Sequence, residues 1–169
     1  MFTSRSTYPD HDFGHQMKLI AELIISGSET MIYYVSLPGF DTHALQTGIQ
    51  SRQLKIYGDA LKVFCHDLKA NNFFNDTIIL TFSEFGRRVA QNGSKGTDHG
   101  TANNVYIVGG NLKNKGLINA MPDLQNLSDG DLIHQVDFRS VYATIIEKWL
   151  MMDSKPVLGG KQFEMLNFV

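Results

Sequence analysis

Short β-branched and aromatic runs alternate along this chain with amphipathic helical segments. The runs lie at residues 31–37, 77–82 and 105–108, and the first is followed directly by Pro38 and Gly39. Such runs are typical of strands that are buried on both faces. Strands that alternate with helices form parallel sheets with right-handed crossovers and helices on both faces. The alternation therefore predicts an α/β fold, a three-layer sandwich with a mainly parallel sheet.

Three helices are expected in this arrangement. Apolar residues spaced by three and four from Phe13 to Ile25 predict an amphipathic helix. The stretch from about Ile49 to Asn71 has no proline and is expected to be the longest helix. Asp137 is placed to cap a final helix that runs through about Met151. We expect the 169 residues to form a single domain.

The composition excludes several classes of function. Fifteen Lys and Arg residues against 17 Asp and Glu residues give a net charge of −2, so no field attracts nucleic acid or an anionic membrane. The apolar runs are far shorter than the roughly 20 residues that a membrane helix needs. One cysteine, Cys65, excludes an internal disulfide and a Cys-rich zinc site. A bound metal would therefore use oxygen and nitrogen ligands.

Acidic and imidazole side chains follow or precede the predicted strands. Asp41 and His43 come after the first run, Glu84 after the second, and Asp98 and His99 just before the third. Open α/β sheets place their sites at the carboxyl ends of the strands, and neighbouring carboxylates need a cation at neutral pH. These five residues together predict a site for a divalent ion, with Zn, Mn and Ca as the candidates.

Each motif also has an ordinary structural explanation. Asp41 suits a turn residue that caps the next helix beside a surface histidine, and Glu84 suits an ion pair with Arg87 or Arg88. The Asp98 segment suits a polar turn. Arg87 is the candidate for contact with an anionic substrate oxygen, although solvated loop charges are the commoner explanation. No serine or threonine lies in a nucleophile elbow, and the Cys65 thiol is expected to be buried.

Four segments, residues 33–43, 81–87, 98–100 and 136–143, carry a resemblance that covers nearly the whole chain. In their order and spacing the chain resembles the bacterial domain of unknown function 1501 family, placed among relatives of alkaline phosphatases, sulfatases and cofactor-independent phosphoglycerate mutases. The resemblance implies an alkaline phosphatase-like fold with a two-metal site. In that site Asp41 and His43 are the first pair, Glu84 takes the second position and His99 is the last ligand.

Two departures leave the number and identity of the metals open. The first pair is closer in sequence than is usual in the superfamily, and Ser83-Glu84 stands where an Asp-His pair is usual. The superfamily's nucleophile lies in the N-terminal half of the fold, and this chain is expected to begin after it, so the fold is expected to be incomplete. Family members often carry an export signal, which implies a parent protein exported to the periplasm or cell surface.

Two functions follow as expectations. The first is a metal-dependent phosphate- or sulfate-ester hydrolase-like domain that acts on a small anionic ester together with the missing N-terminal half of the parent protein. The alternative is a non-catalytic binding or scaffolding domain with a degenerate metal site. The altered second motif at Glu84 favours the alternative, and the joint presence of three ligand-bearing segments favours the first.

Overall fold

The computed structural model of the protein describes residues 2–169, which form two compact units. The first unit comprises the residues up to Ile78 together with Ala90–Asp98. The second comprises Ile79–Val89 together with His99–Val169. Asp41, His43 and Asp98 lie in the first unit, and Glu84, Arg87 and His99 lie in the second.

Two helices form the core of the first unit. Helix α1 spans Asp12–Ile25 and helix α2 spans Gln46–Ala70. Both predicted helices are confirmed, and α2, with 25 residues, is the longest in the described chain. Their buried faces carry the spacing expected from the sequence. The buried residues of α1 include Phe13, Met17 and Ala21, and those of α2 include Ala60, Phe64 and Leu68.

A buried carboxylate holds the N-terminal segment against α2. Asp67 is only 3% exposed, and its two oxygens accept hydrogen bonds from the hydroxyls of Ser4 at 2.5 Å, Ser6 at 3.1 Å and Tyr8 at 3.1 Å. Burial and the neighbouring carboxylate raise the pKa of Tyr8 above its usual range, so its hydroxyl remains a donor. These donors offset the cost of removing the Asp67 charge from water.

The predicted strand at residues 31–37 is wrong. Neither helix nor strand is present between residues 28 and 43, and Met31, Ile32 and Tyr34 are 67%, 69% and 77% exposed. A β-branched or aromatic residue favours a strand because it packs against neighbouring strands, not because its backbone requires that conformation. The sequence pattern therefore cannot establish a strand unless neighbours pair with it.

The second unit contains three two-stranded sheets. Strands β1 (Ile78–Thr81) and β4 (Tyr106–Gly109) form one of them, which confirms the strands predicted at 77–82 and 105–108. Strands β2 (Gly86–Arg87) and β3 (His99–Gly100) pair antiparallel, as do β5 (Leu127–Ser128) and β6 (Asp131–Leu132). The β2–β3 pair lies between the two strands that the sequence predicts at 77–82 and 105–108. The larger parallel sandwich and the single domain stay predictions.

The last helical segment begins where the sequence predicts. Asp137 caps helix α3 (Phe138–Thr144), accepting a hydrogen bond from the backbone N–H of Arg139 at 2.9 Å. The Arg139 guanidinium also binds this carboxylate and holds the pKa of Asp137 below its ordinary value. The segment continues as a π-helix, Ile145–Trp149. Among residues 2–169, no helix combines the length and apolar character that crossing a membrane would require.

We expect Asp137→Ala to lower the free energy of unfolding by about 1 kcal/mol, because the first turn of α3 loses its capping oxygen. Asp137→Ser keeps a capping oxygen and should recover most of this loss in urea unfolding. Since the folded-state pKa of Asp137 is lowered, the carboxylate's contribution is present above the unfolded-state value of about 3.9 and disappears as pH falls through the lower folded value. Equal destabilisation by Ala and Ser would contradict the capping role.

Candidate metal centre

The loop 90–98 caps the start of helix α2 in the first unit. Leu45, which precedes the helix, has a left-handed backbone with φ of 46° and provides no side-chain cap. Instead, the backbone N–H groups of Leu45 and Gln46 donate to the carbonyls of Ser94 at 3.1 Å and Lys95 at 3.2 Å. Orphan donors at a helix start need such partners. The segment that carries Asp41 and His43 is thereby joined to the loop that carries Asp98.

The side-chain amide of Asn92 organises this loop. Its oxygen accepts hydrogen bonds from the backbone N–H groups of Ser94 and Gly96, both at 3.0 Å. Its nitrogen donates to the carbonyl of His43 at 3.0 Å and to Asp98 Oδ1 at 3.2 Å. Asn92 therefore determines both the turn of the loop and the position of Asp98 next to the His43 backbone.

Close backbone packing at Gly96 complements these hydrogen bonds. A Cβ atom at this position would lie 2.4 Å from the carbonyl oxygen of His43, which no side chain tolerates without a backbone shift. The neighbouring Thr97 hydroxyl donates to Gln46 Oε1 at 2.9 Å, and Gln46 is buried. The loop is thus held to the first turn of α2 through both main chain and side chains.

The imidazole of His43 lies between two carboxylates. Its Nε2 is 3.1 Å from Asp41 Oδ1, and its Nδ1 is 3.2 Å from Asp98 Oδ1. A neutral imidazole has one N–H and one lone pair, so it can donate to only one of two acceptors. Both contacts are favourable only when the ring carries two protons or when a cation lies beside one nitrogen.

The spacing between Asp41 and His43 is close to that of two ligands of one metal ion. Zinc ligands lie about 2.0–2.2 Å from the metal, so two neighbouring ligand atoms of a tetrahedral site are separated by about 3.3–3.6 Å. The observed separation of Asp41 Oδ1 and His43 Nε2 is 3.1 Å, so a small movement of either side chain would admit the ion. With a metal on Nε2, the proton of His43 would be on Nδ1, and Asp98 would accept from it and orient the ring, as carboxylates commonly do behind metal-binding histidines. A nitrogen and an oxygen ligand suit Zn²⁺ or Mn²⁺ better than Ca²⁺, which takes oxygen ligands.

The other predicted site residues lie in the second unit. The His99 ring stacks on Phe85 with centroids 3.8 Å apart, and the Arg87 guanidinium lies 4.9 Å from the centre of the same phenyl ring. Glu84 is exposed. The ligand roles of Glu84 and His99 and the substrate-contact role of Arg87 stay predictions.

Two other side chains that could carry chemistry are Arg88 and Cys65. Arg88 pairs with Asp131 at 3.4 Å and donates to the carbonyl of Asp129 in the β5–β6 turn. Arg88 therefore forms its ion pair with Asp131 and not with Glu84, and it also binds the backbone of the second unit. Cys65 is half-buried and not fully buried as expected. The burial it has still raises the pKa of its thiol, which disfavours the reactive thiolate.

Sequence reasoning missed Asn92 and Gln46. The only signal is the turn-forming composition of Asn92-Gly93-Ser94. That signal predicts a turn but does not show that one amide joins the turn to the backbone of His43, which is distant in sequence. The sequence predicts Asp98 as a metal ligand, and the structure shows its carboxylate in contact with His43.

We expect Asn92→Ala to loosen the loop 90–98, because two backbone donors and the side chain of Asp98 lose their partner. Amide hydrogen exchange of Ser94 and Gly96 should accelerate by about tenfold or more, the equivalent of one or two lost hydrogen bonds. Asn92→Asp keeps the acceptor but places a carboxylate oxygen against the His43 carbonyl and Asp98, so exchange of both amides should be intermediate between wild type and Asn92→Ala. The exposed Gln91 in the same loop provides the control Gln91→Ala, and equal acceleration in this control would contradict the role of Asn92.

Comparisons with known proteins identify the family. A comparison with curated proteins gave no match, and a comparison with solved structures gave none. The profile of the family described as protein of unknown function DUF1501 matches residues 4–163. This match includes every residue of the candidate centre and nearly the whole chain. The chain therefore belongs to the DUF1501 family.

Proposed function

We propose that the first unit binds a divalent metal ion at Asp41 and His43, as the metal centre of a phosphate- or sulfate-ester hydrolase-like domain of the alkaline phosphatase and sulfatase type. The observation that carries the proposal is the position of the His43 imidazole between the carboxylates of Asp41 and Asp98, at 3.1 and 3.2 Å. Membership of the DUF1501 family is consistent with this function but assigns no activity.

Hydrogen bonding around Asp98 determines which nitrogen of His43 faces the metal. Asp98 Oδ1 accepts from the Asn92 amide at 3.2 Å, and it is 3.2 Å from His43 Nδ1. A proton on Nδ1 satisfies this contact and leaves the lone pair of Nε2 directed toward Asp41. Two electron-rich atoms 3.1 Å apart repel unless a cation or proton separates them. Asp41 and Nε2 are thus the proposed ligands.

The site is accessible to a substrate. The side chains of Asp41, His43 and Asp98 are 65%, 51% and 59% exposed. A metal bound there would polarise an ester oxygen and lower the pKa of a coordinated water. Asp98 would hold the imidazole in one tautomer and orientation. On the strength of the family resemblance, Glu84 and His99 are proposed as further ligands and Arg87 as the contact for a substrate oxygen.

We expect calorimetric titration to show stoichiometric uptake of Zn²⁺ or Mn²⁺ by the purified chain. His43→Ala should abolish uptake, and Asp98→Asn should weaken it by about 10–100-fold because the orienting acceptor is altered. Binding should weaken at acid pH, since the ligands must be deprotonated to bind metal. His15→Ala is the matched control, because His15 is also exposed but contacts one carboxylate, that of Asp10 at 3.0 Å.

Absence of uptake by the wild-type chain, or uptake that His43→Ala leaves unchanged, would overturn the proposed centre. Glu84→Gln and His99→Ala test the two remaining ligand predictions separately. Unchanged affinity in both variants would restrict the centre to the side chains of the first unit. A loss in either variant would show that the corresponding residue contributes to metal binding.

The second candidate function is a non-catalytic binding or scaffolding domain with a degenerate metal site. The observation that favours it is Glu84, which stands with Ser83 where the superfamily resemblance implies an Asp-His pair. Hydrolysis of p-nitrophenyl phosphate and p-nitrophenyl sulfate by the metal-loaded protein separates the two functions. Turnover that is lost in His43→Ala supports the hydrolase, whereas metal uptake without turnover supports the binding domain.

A further inference from the structure

A groove in the first unit lies between the N-terminal segment and helix α2. Residues 2, 3 and 5–7 line one side and residues 62, 63, 65–67 and 69–71 line the other, around an open cavity of about 1120 Å³. Pockets for small molecules commonly measure about 300–1000 Å³. The groove is therefore large enough for a small organic ligand.

Positive charge is concentrated in this groove. Arg5 comes from the N-terminal segment, and Lys62 and Lys69 come from α2, two turns apart on the same helix. None of these three side chains forms an ion pair with a carboxylate anywhere in residues 2–169. The Lys69 ammonium lies 4.5 Å from the centre of the Phe74 ring, a cation–π contact that adds no negative charge. The whole chain carries a net charge of −2, so three cations without a carboxylate partner along one cavity are a local excess of positive charge.

The single carboxylate that lines the groove is already used. Asp67 is buried and accepts hydrogen bonds from the hydroxyls of Ser4, Ser6 and Tyr8. Ser4 and Ser6 bind Asp67 from either side of Arg5, and Arg5 itself is exposed. The same interaction that anchors the segment thus holds Arg5 beside the cavity, and it reduces the entropy that this side of the groove would lose when a ligand binds.

We propose that this groove binds the phosphate group of a small phosphate-bearing molecule. The guanidinium of Arg5 can bind two phosphate oxygens with its planar fork, while Lys62 and Lys69 act as point charges. The hydroxyls of Thr3 and Thr7 also line the cavity and can donate to a phosphate oxygen. This site is independent of the metal centre, because its charge has the opposite sign and none of its lining residues is a proposed metal ligand.

The test is a titration of the chain with inorganic pyrophosphate, followed by amide chemical shifts at constant ionic strength and in the presence of a chelator. We expect saturable shifts in residues 3–7 and 62–71. Arg5→Gln and Lys62→Gln should each weaken binding by about fivefold or more, and Lys62→Arg should retain it. The His43→Ala variant should bind pyrophosphate like the wild type, which separates this site from the metal centre.

Lys55→Gln is the matched control for charge. It removes one positive charge from the same helix, at an exposed side chain that pairs with Asp59 at 2.7 Å and does not line the groove. The affinity of Lys55→Gln for pyrophosphate should stay within about twofold of the wild-type affinity. Shifts that do not saturate, or a loss in Lys55→Gln equal to that in Lys62→Gln, would overturn the proposal. Binding to vesicles that contain phosphatidylserine, without binding of pyrophosphate, would also overturn it in favour of a lipid surface.

Discussion

Both ends of the Asn92 side-chain amide form hydrogen bonds, and the arrangement of the candidate metal centre follows from them. The oxygen folds the loop onto itself through Ser94 and Gly96, and the nitrogen joins the loop to the His43 backbone and to Asp98. An amide is suited to this task because it offers donors and an acceptor in one rigid plane. No ionised side chain could bind both backbone N–H donors and a carbonyl in this way.

The carboxylates of Asp67 and of the pair Asp41 and Asp98 are stabilised in different ways in the first unit. Asp67 is buried, and its carboxylate accepts hydrogen bonds from three hydroxyl groups of the protein. Asp41 and Asp98 are exposed and share one imidazole. A buried, fully satisfied carboxylate anchors chain segments, whereas exposed carboxylates around a histidine retain the capacity to bind a cation. Asp67 is therefore a structural residue, whereas Asp41 and Asp98 belong to the candidate metal centre.

Local patterns predicted the helices well because their determinants are local. Apolar spacing identified α1 and α2, and the capping preference of aspartate identified Asp137. The strand expected at residues 31–37 failed for the complementary reason, since β-branched composition cannot supply the neighbours that a strand needs. The π-helix at Ile145–Trp149 also has no simple sequence signature.

Residue type predicts which side chains belong to the candidate site, but not how they are connected. Asp41, His43 and Asp98 are predicted as metal ligands because acidic and imidazole side chains next to strand-like runs are typical of metal sites. Which residue Asp98 contacts depends on how the loop 90–98 packs against the start of α2. That packing depends on the hydrogen bonds of the Asn92 amide and on the close backbone approach at Gly96. Such contacts between distant segments are not encoded in any single pattern of the sequence.

The most direct test of the metal centre is nitrogen NMR of the His43 ring, with the resonances assigned through the His43→Ala variant, during addition of Zn²⁺. We expect the zinc-bound ring to carry one proton, on Nδ1 and bonded to Asp98, and the Nε2 resonance to change strongly and saturably as zinc is added. A ring that carries protons on both nitrogens and does not change with zinc would show that His43 is an imidazolium held between two carboxylates. That result would contradict the metal centre.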